Sequence, residues 1–132
     1  DCPAEDSDLM SFFAHVRNKY PEYSSLIFHP KNEWKPTGGT SYGHYQSMIA
    51  KGMLPRIADI ICLPVSAGAP SFVCELKRLD ISKSLANKDR KKHFCDQLLL
   101  LASQKLHGAE VSIALGLDNA ILAFDDYLRE HR

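Results

Sequence analysis

Three charged residues occur in the two most apolar runs in the middle of the chain. Asp59 stands near the start of the run 57–65, and Glu75 and Lys77 close the run that begins at Ser71. An ionised carboxylate among apolar neighbours is costly unless it is paired or binds a cation. Glu75 and Lys77 are two positions apart, so both project from one face of a strand. Asp59 can join them there if the register of a hairpin permits.

Two carboxylates and a lysine suit the hydrolysis of phosphodiester bonds. Carboxylate oxygens bind hard divalent cations, and Mg²⁺, or Mn²⁺ in its place, is the expected cofactor. Such a cation lowers the pKa of a bound water and polarises a phosphoryl oxygen, while a lysine can orient the nucleophile or stabilise the transition state. The alternative is a structural ion pair between Glu75 and Lys77, with Asp59 ending a turn. Because short acidic motifs occur by chance in many chains, these residues alone leave both interpretations open.

A basic segment follows the second run. Its basic residues are Lys77, Arg78, Lys83, Lys88, Arg90, Lys91 and Lys92. They are opposed by only Asp80 and Asp89, which leaves a local surplus of five positive charges. Beside a metal site, this density predicts a track for the phosphate backbone of nucleic acid, whereas alone it suits a solvated helix start equally well. Trp34 and Tyr42, in a glycine-containing segment, could stack on an unpaired base or simply anchor the loop.

The elements that must position these residues alternate between helix and strand. Apolar residues at helical spacing predict helices over 7–19, 45–51 and 91–107, and a last helix that Asp118 caps and that ends near residue 130. Continuous or alternating apolar residues predict strands over 26–28, 57–65, 71–76 and 109–115. The polar stretch 30–45 is predicted as a loop. Gly52 and Gly108 are expected to end helices.

The composition indicates one domain without a membrane segment. The 132 residues carry 16 acidic and 16 basic side chains, and 45% are apolar, so we expect a single domain over 1–132. The apolar runs fall far short of the roughly 20 residues that span a bilayer, and the acidic N-terminus lacks signal-peptide features. The four cysteines form no C-x-x-C pair, and Cys62 and Cys74 are expected to be small buried hydrophobes. We therefore expect a reduced, cytoplasmic protein.

The chain resembles one nuclease family along nearly its whole length. From Asp6 to Leu128 it is similar to the virus-type replication-repair nucleases, VRR-NUC, of the PD-(D/E)XK restriction-endonuclease-like superfamily, particularly to small stand-alone phage and bacterial members. The matching segments are Tyr20-Pro21, the stretch from Phe28 to Glu33, Lys51-Gly52, Ala58-Asp59, Glu75-Leu76-Lys77, Gln97 and Asp126-Tyr127-Leu128. The stretch from Phe28 to Glu33 resembles the family's His-x-Pro-Asn-rich segment, with one residue inserted before Asn32.

The resemblance implies a role for each matching site residue. It implies metal binding by Asp59, by Glu75 and by the backbone carbonyl of Leu76. It also implies catalytic assistance from Lys77 and Gln97. The expected contacts with nucleic acid are Arg78, Lys83, Lys88, Arg90, Lys91, Lys92, Asn32 and Trp34.

An acid in the first helix is also expected from the resemblance. Asp6 fits the spacing of the family's first-helix acid and is a candidate metal ligand, with Glu5 and Asp8 as alternatives. Met10 stands at the position of the family's glutamine, and two further departures precede Asp59.

These departures are Arg56, where the family commonly has glycine, and Ala58, where it usually has proline. The connection between Lys77 and Gln97 is also longer than the family pattern. None of these changes removes a predicted metal ligand. They indicate a divergent member, and they leave reduced activity as an alternative.

The chain is therefore expected to form an α/β domain with a restriction-endonuclease-like core, in which helices flank a mixed central sheet. The expected function is a Mg²⁺- or Mn²⁺-dependent DNA endonuclease that selects branched DNA, such as a Holliday junction or a flap, during repair or recombination. A homodimer is expected by analogy with the family. The alternative is a nuclease-fold module that binds nucleic acid or a protein without turnover. A net charge of zero does not exclude DNA, because the charges are segregated along the chain.

Overall fold

The computed structural model describes residues 4–30 and 42–132. The helices are α1 (Glu5–Lys19), α2 (Tyr42–Ala50), α3 (Lys88–Leu106) and α4 (Leu117–His131), and the strands are β1 (Ile27–Phe28), β2 (Ile60–Cys62), β3 (Phe72–Lys77) and β4 (Glu110–Leu115). Short 3₁₀ helices, Pro21–Tyr23 and Ile81–Leu85, precede β1 and α3. The predicted order of helices and strands is confirmed. No helix in the described ranges is long and apolar enough to cross a membrane.

The strands form one mixed sheet in the order β1-β2-β3-β4. β1 and β2 are antiparallel, and so are β2 and β3, in which Ile60 lies opposite Cys74. β4 runs parallel to β3, because the connection through α3 returns the chain to the other end of the sheet. This is the α/β architecture with a mixed central sheet that the sequence predicts.

Strand β3 is buried along its whole length, because helices cover both of its faces. Phe72, Cys74 and Leu76 belong to the core that the sheet forms with α1 and α4. Val73, on the opposite face, packs with Leu101 of α3. A strand that is covered on both faces reads as a continuous apolar run. By the two-residue period of a strand, the next side chains on the α3 face are those of the charged residues at 75 and 77.

Aromatic rings fill the layer between the sheet and helices α1 and α4. The ring of Phe124 contacts the rings of Phe12, Tyr20 and Phe72, with centroid separations of 6.0, 6.0 and 5.4 Å. Phe124 itself is 1% exposed. This layer buries the apolar stripes of α1 and α4 and leaves the opposite face of the sheet to α3.

Two of the four cysteines lie in this layer. Cys62 and Cys74 are buried free thiols, as predicted. Burial raises the pKa of Cys62 to about 11 and that of Cys74 to about 12. Both residues therefore act as small apolar side chains at neutral pH.

Several strand and helix boundaries differ from the prediction. Helix α2 begins at Tyr42, inside the stretch 30–45 that is predicted as a loop. Strand β2 covers only 60–62 of the predicted 57–65, since Arg56 has a left-handed backbone conformation with φ of 69° and Pro64 has no N–H for the ladder. The prediction that Asp118 caps the last helix is wrong. The N-cap is Gly116, with φ of 83°, and Asp118 lies in the first turn of α4.

Helix α3 begins at Lys88, three residues before its predicted start. The side chain of Asn87 accepts a hydrogen bond of 2.9 Å from the backbone N–H of Arg90. Asparagine is a strong N-cap residue. The cap therefore extends the helix through a polar stretch that has no apolar periodicity.

We predict that Phe124→Ala lowers the free energy of unfolding by about 3–5 kcal/mol, because it empties the centre of the aromatic layer. Urea denaturation followed by circular dichroism measures this loss. Leu122→Ala, on the exposed face of the same helix, is the matched control and should change stability by about 0.5 kcal/mol or less. Equal losses in the two variants would contradict the position of Phe124 in the core.

Candidate active site

The register of the sheet brings Asp59 and Glu75 side by side. Ile60 lies opposite Cys74 in the antiparallel pair, so one further step places Asp59 opposite Glu75. Opposed residues in such a pair carry their side chains on the same face. The backbone N–H of Leu76 donates a hydrogen bond of 2.9 Å to Asp59 Oδ2, which orients the Asp59 carboxylate.

Lys77 and Gln97 complete a buried cluster with these two carboxylates. Lys77 Nζ donates a hydrogen bond of 2.8 Å to Gln97 Oε1, and Gln97 Nε2 donates one of 3.2 Å to Glu75 Oε1. Lys77 Nζ also lies 3.9 Å from Glu75 Oε1 and 5.0 Å from the centroid of the Phe94 ring. We call Asp59, Glu75, Lys77 and Gln97 the buried cluster. The amide of Gln97 holds both members of a buried ion pair.

The buried cluster does not hold enough positive charge to keep Glu75 ionised at neutral pH in the metal-free protein. Burial, followed by the neighbouring Asp59 carboxylate, raises the pKa of Glu75 well above its usual value, and Lys77 opposes this shift only in part. Glu75 Oε2 is buried and has no hydrogen-bond partner among the described residues. A protonated Glu75 can donate a hydrogen bond to Asp59, whereas two ionised carboxylates have no donor between them. Oxygen ligands in this arrangement are those that Mg²⁺ and Mn²⁺ prefer, so the residues present fit a divalent cation.

Among the acidic residues at the start of α1, Glu5 is the one that the structure links to the buried cluster. Burial raises the pKa of Glu5, Lys77 lowers it, and Asp59 raises it further. Asp6 is exposed, and Asp8 is buried along the face of α1 that enters the core. Successive helical residues differ in direction by about 100°. The geometry therefore favours Glu5, one of the stated alternatives, over Asp6 as the third acid.

A basic cleft opens next to the buried cluster. It has a volume of about 360 Å³ and is lined by Glu5, Lys77, Arg78, Lys83, Ser84, Arg90 and His93. Three of the residues predicted to contact phosphate, Arg78, Lys83 and Arg90, therefore meet in one place. The 3₁₀ helix Ile81–Leu85 supplies Lys83 and Ser84, and the first turn of α3 supplies Arg90. The long connection after β3 forms most of the wall of this cleft.

One solved structure shares the arrangement of these elements. It is described as a "VRR_NUC domain protein", and its similarity to this chain has a TM-score of 0.62 at 16% sequence identity, over 96% of this chain and 89% of that chain. The chain has the fold of a VRR_NUC domain. This confirms the predicted resemblance at the level of the fold. No protein-family model and no curated protein sequence matches the chain.

The remaining predicted contacts do not gather at this cleft. Lys88, Lys91 and Lys92 are exposed in the first turns of α3. Lys92 Nζ lies 3.0 Å from Asp96 Oδ2 in an exposed ion pair. Asn32 and Trp34 lie outside the described residues. Tyr42 begins α2, where it is 70% exposed.

His93 and Arg56 were not predicted to take part in the candidate active site. His93 lines the basic cleft, and burial, Arg56 and Lys77 all lower its pKa. Arg56 also lowers the pKa of Asp96, although Lys92 has the larger effect. The charge of Arg56 therefore acts on both of these α3 residues. The left-handed φ of Arg56 explains why glycine suits this position. The replacement of glycine by arginine is the sequence signal that could have marked Arg56.

A second group of potential metal ligands lies at the far end of the β3–β4 pair. Ligand atoms of Glu110, Glu130 and His131 lie within 4.8 Å of one another. His131 Nε2 is 2.8 Å from Glu110 Oε1 and 3.6 Å from Glu130 Oε2. A hydrogen bond between His131 and Glu110 accounts for the short distance in this group. It lies away from the buried cluster, because Glu110 pairs with Phe72 at the opposite end of β3.

The raised pKa of Glu75 predicts how stability depends on pH. Its folded form binds a proton more tightly than the unfolded chain, so metal-free protein should lose stability as pH rises above the usual pKa of 4.5. Glu75→Gln removes this dependence and keeps the acceptor for Gln97. We expect the variant to be at least about 1 kcal/mol more stable than the original at neutral pH, because one pKa unit corresponds to about 1.4 kcal/mol.

Urea denaturation across a pH series without divalent cations measures this difference. Glu22→Gln, at an exposed position, is the control and should leave the pH profile unchanged. A Glu75→Gln variant that is less stable than the original at neutral pH would show that Lys77 more than compensates the buried charge.

Proposed function

We propose that the protein is a metal-dependent DNA endonuclease of the VRR-NUC type, which hydrolyses phosphodiester bonds in branched DNA such as a Holliday junction or a flap. The observation that carries the proposal is the unpartnered Glu75 Oε2 beside Asp59, next to Lys77 and at the edge of the basic cleft. A role in DNA repair or recombination follows from this substrate. We further propose that residues 1–132 act as one cytoplasmic nuclease domain.

The chain offers oxygen ligands for one divalent cation. Asp59, Glu75 and the backbone carbonyl of Leu76 would hold Mg²⁺ or Mn²⁺, and Glu5 is close enough to contribute. When bound, the cation supplies positive charge against a phosphoryl oxygen and acidifies a water. The fit rests on the buried oxygen of Glu75 that lacks a donor.

The other residues position the substrate and its charge. Lys77 is held by Gln97 with its ammonium group directed toward Glu75, so it can stabilise charge that develops on the phosphate. Arg78, Lys83 and Arg90 line the cleft through which a strand of DNA would pass. Their positive charge balances the phosphates, and this contribution to binding should weaken as salt rises.

We predict that Glu75→Ala and Lys77→Ala each reduce cleavage by at least about 100-fold, the scale expected when a group that stabilises the transition state is lost. The assay compares linear, flap, fork and four-way DNA with Mg²⁺ or Mn²⁺. Lys105→Ala, at the exposed C-terminal end of α3, is the matched control. Each variant must keep the circular dichroism spectrum of the original protein.

Metal binding is tested separately, without reference to activity. Mn²⁺ should raise the melting temperature of the original protein, because a ligand that binds the folded state stabilises it. Asp59→Asn should abolish this increase. If the original protein binds branched DNA and metal but cleaves no substrate, the proposed nuclease activity is wrong. That result would support the alternative, a module that binds nucleic acid without turnover.

We also propose that the protein forms a homodimer through α3. The side of α3 away from the sheet exposes Cys95, Leu99, Ala102 and Leu106, a 4-3-4 spacing typical of a seam between two helices. Leu99 is 69% exposed and Leu106 is 84% exposed. A second copy of the chain offers an identical stripe, as two-fold symmetry requires. Two active sites could then address both strands of a branch.

We predict that Leu99→Glu combined with Leu106→Glu converts a dimer into a monomer, since it places like charges in the seam. Light scattering coupled to gel filtration measures the mass. Leu122→Glu, at an exposed position of α4, should leave the mass unchanged. A monomeric original protein across the concentration range would rule out the homodimer.

A further inference from the structure

Two features of Arg56 are energetically unfavourable: its backbone conformation and a buried side-chain donor. It is the one non-glycine residue in the described ranges with positive φ, at 69°. Side chains are strained in this region, and such strain is concentrated at functional sites. Its Nε is also buried without a hydrogen-bond partner in the described part of the chain, and an unsatisfied buried donor is unfavourable. Glycine at this position would remove both costs.

Arg56 is close in sequence to the buried cluster. Arg56 lies three residues before Asp59, in the connection that leads into β2. Its charge acts on His93 and Asp96, which share one side of α3. His93 also belongs to the wall of the basic cleft. The charge of Arg56 therefore acts on the wall of the basic cleft.

The groups that surround Arg56 favour an anion as its partner. Of the two α3 residues on which its charge acts, only Asp96 is acidic. Asp96 is already paired with Lys92 at 3.0 Å. Among the described residues, Arg56 forms no ion pair within 4 Å. A guanidinium presents a planar fork that matches a phosphate. One phosphate bound by the terminal nitrogens of Arg56 would compensate the backbone strain.

We infer that Arg56 binds a phosphate of the DNA backbone next to the one that is cleaved, on the β2 side of the buried cluster. This inference rests on the proposed function and adds a binding residue to it. Arg78, Lys83 and Arg90 would contact the strand on the other side of the cluster. The strand would then be held on both sides of the bond that is cut.

The test compares Arg56→Gly with Arg56→Lys and with the control Lys105→Ala. Affinity for fluorescent branched DNA is measured by anisotropy over a salt series without divalent cations. For Arg56→Gly we expect about 10-fold weaker binding, together with a salt slope lower by about 0.9, the value for one phosphate contact on duplex DNA. Arg56→Lys keeps the charge and should retain the slope. Because glycine relieves the strained φ, the melting temperature of Arg56→Gly should not fall.

Cleavage kinetics give a second readout. Loss of a contact with an uncut phosphate should raise KM about 10-fold and leave kcat near its original value. An unchanged affinity and KM in Arg56→Gly would overturn the inference. So would weaker binding with an unchanged salt slope and a lower melting temperature, because Arg56 would then be structural. Arg56→Lys, which keeps the side-chain volume and charge, tests the slope even if Arg56→Gly folds poorly.

Failure of the inference can be distinguished from failure of the proposed function. If the original protein cleaves branched DNA and Glu75→Ala does not, but the Arg56 variants match the original, only the inference fails. If the original protein neither binds nor cleaves DNA under any of these conditions, the proposed function fails, and the inference fails with it.

Discussion

Burial of the Glu75 carboxylate in a central strand is the interaction on which the rest of the structure depends. A charge in this position is stable only if partners reach it, and they come from three elements. Lys77 follows on the same strand, Gln97 comes from α3, and Asp59 comes from β2. A shift of β2 by one residue would turn Asp59 to the opposite face. The position of this one carboxylate therefore constrains both the register of the sheet and the placement of α3.

The two faces of the sheet have different roles. One face packs the main apolar core, and the other holds the candidate active site. The layer between the sheet, α1 and α4 is aromatic and apolar, with Phe124 among three other rings. The α3 face contains a smaller apolar patch around Val73 and Leu101 and then the buried cluster. The buried carboxyl of Glu75, with its raised pKa, lies on this second side, and the strained backbone of Arg56 lies in the connection that leads to β2. The aromatic layer supplies the burial that makes these local costs tolerable.

Charge is segregated by position, although the chain as a whole is neutral. The acidic side chains at the buried cluster and the basic side chains of the cleft meet at Lys77, which belongs to both. Without a cation the carboxylates oppose the approach of a phosphate. A bound divalent cation would reverse that local potential, so the site would attract DNA only when the metal is present. The cleft would supply attraction under both conditions.

The sequence determined the order of the elements and the shared face of Glu75 and Lys77. Both follow from the periodic spacing of side chains along a helix or a strand. Gly52 and Gly108 likewise marked helix ends, and both have a φ of 105°. Tertiary structure decided the rest. Glu5 rather than Asp6 faces the cluster because of where α1 begins and how it packs. The closeness of Arg56 to His93 depends on the packing of α3 against the connection before β2. Sequence spacing cannot set such contacts, because they depend on the phase and docking of helices that are distant in the chain.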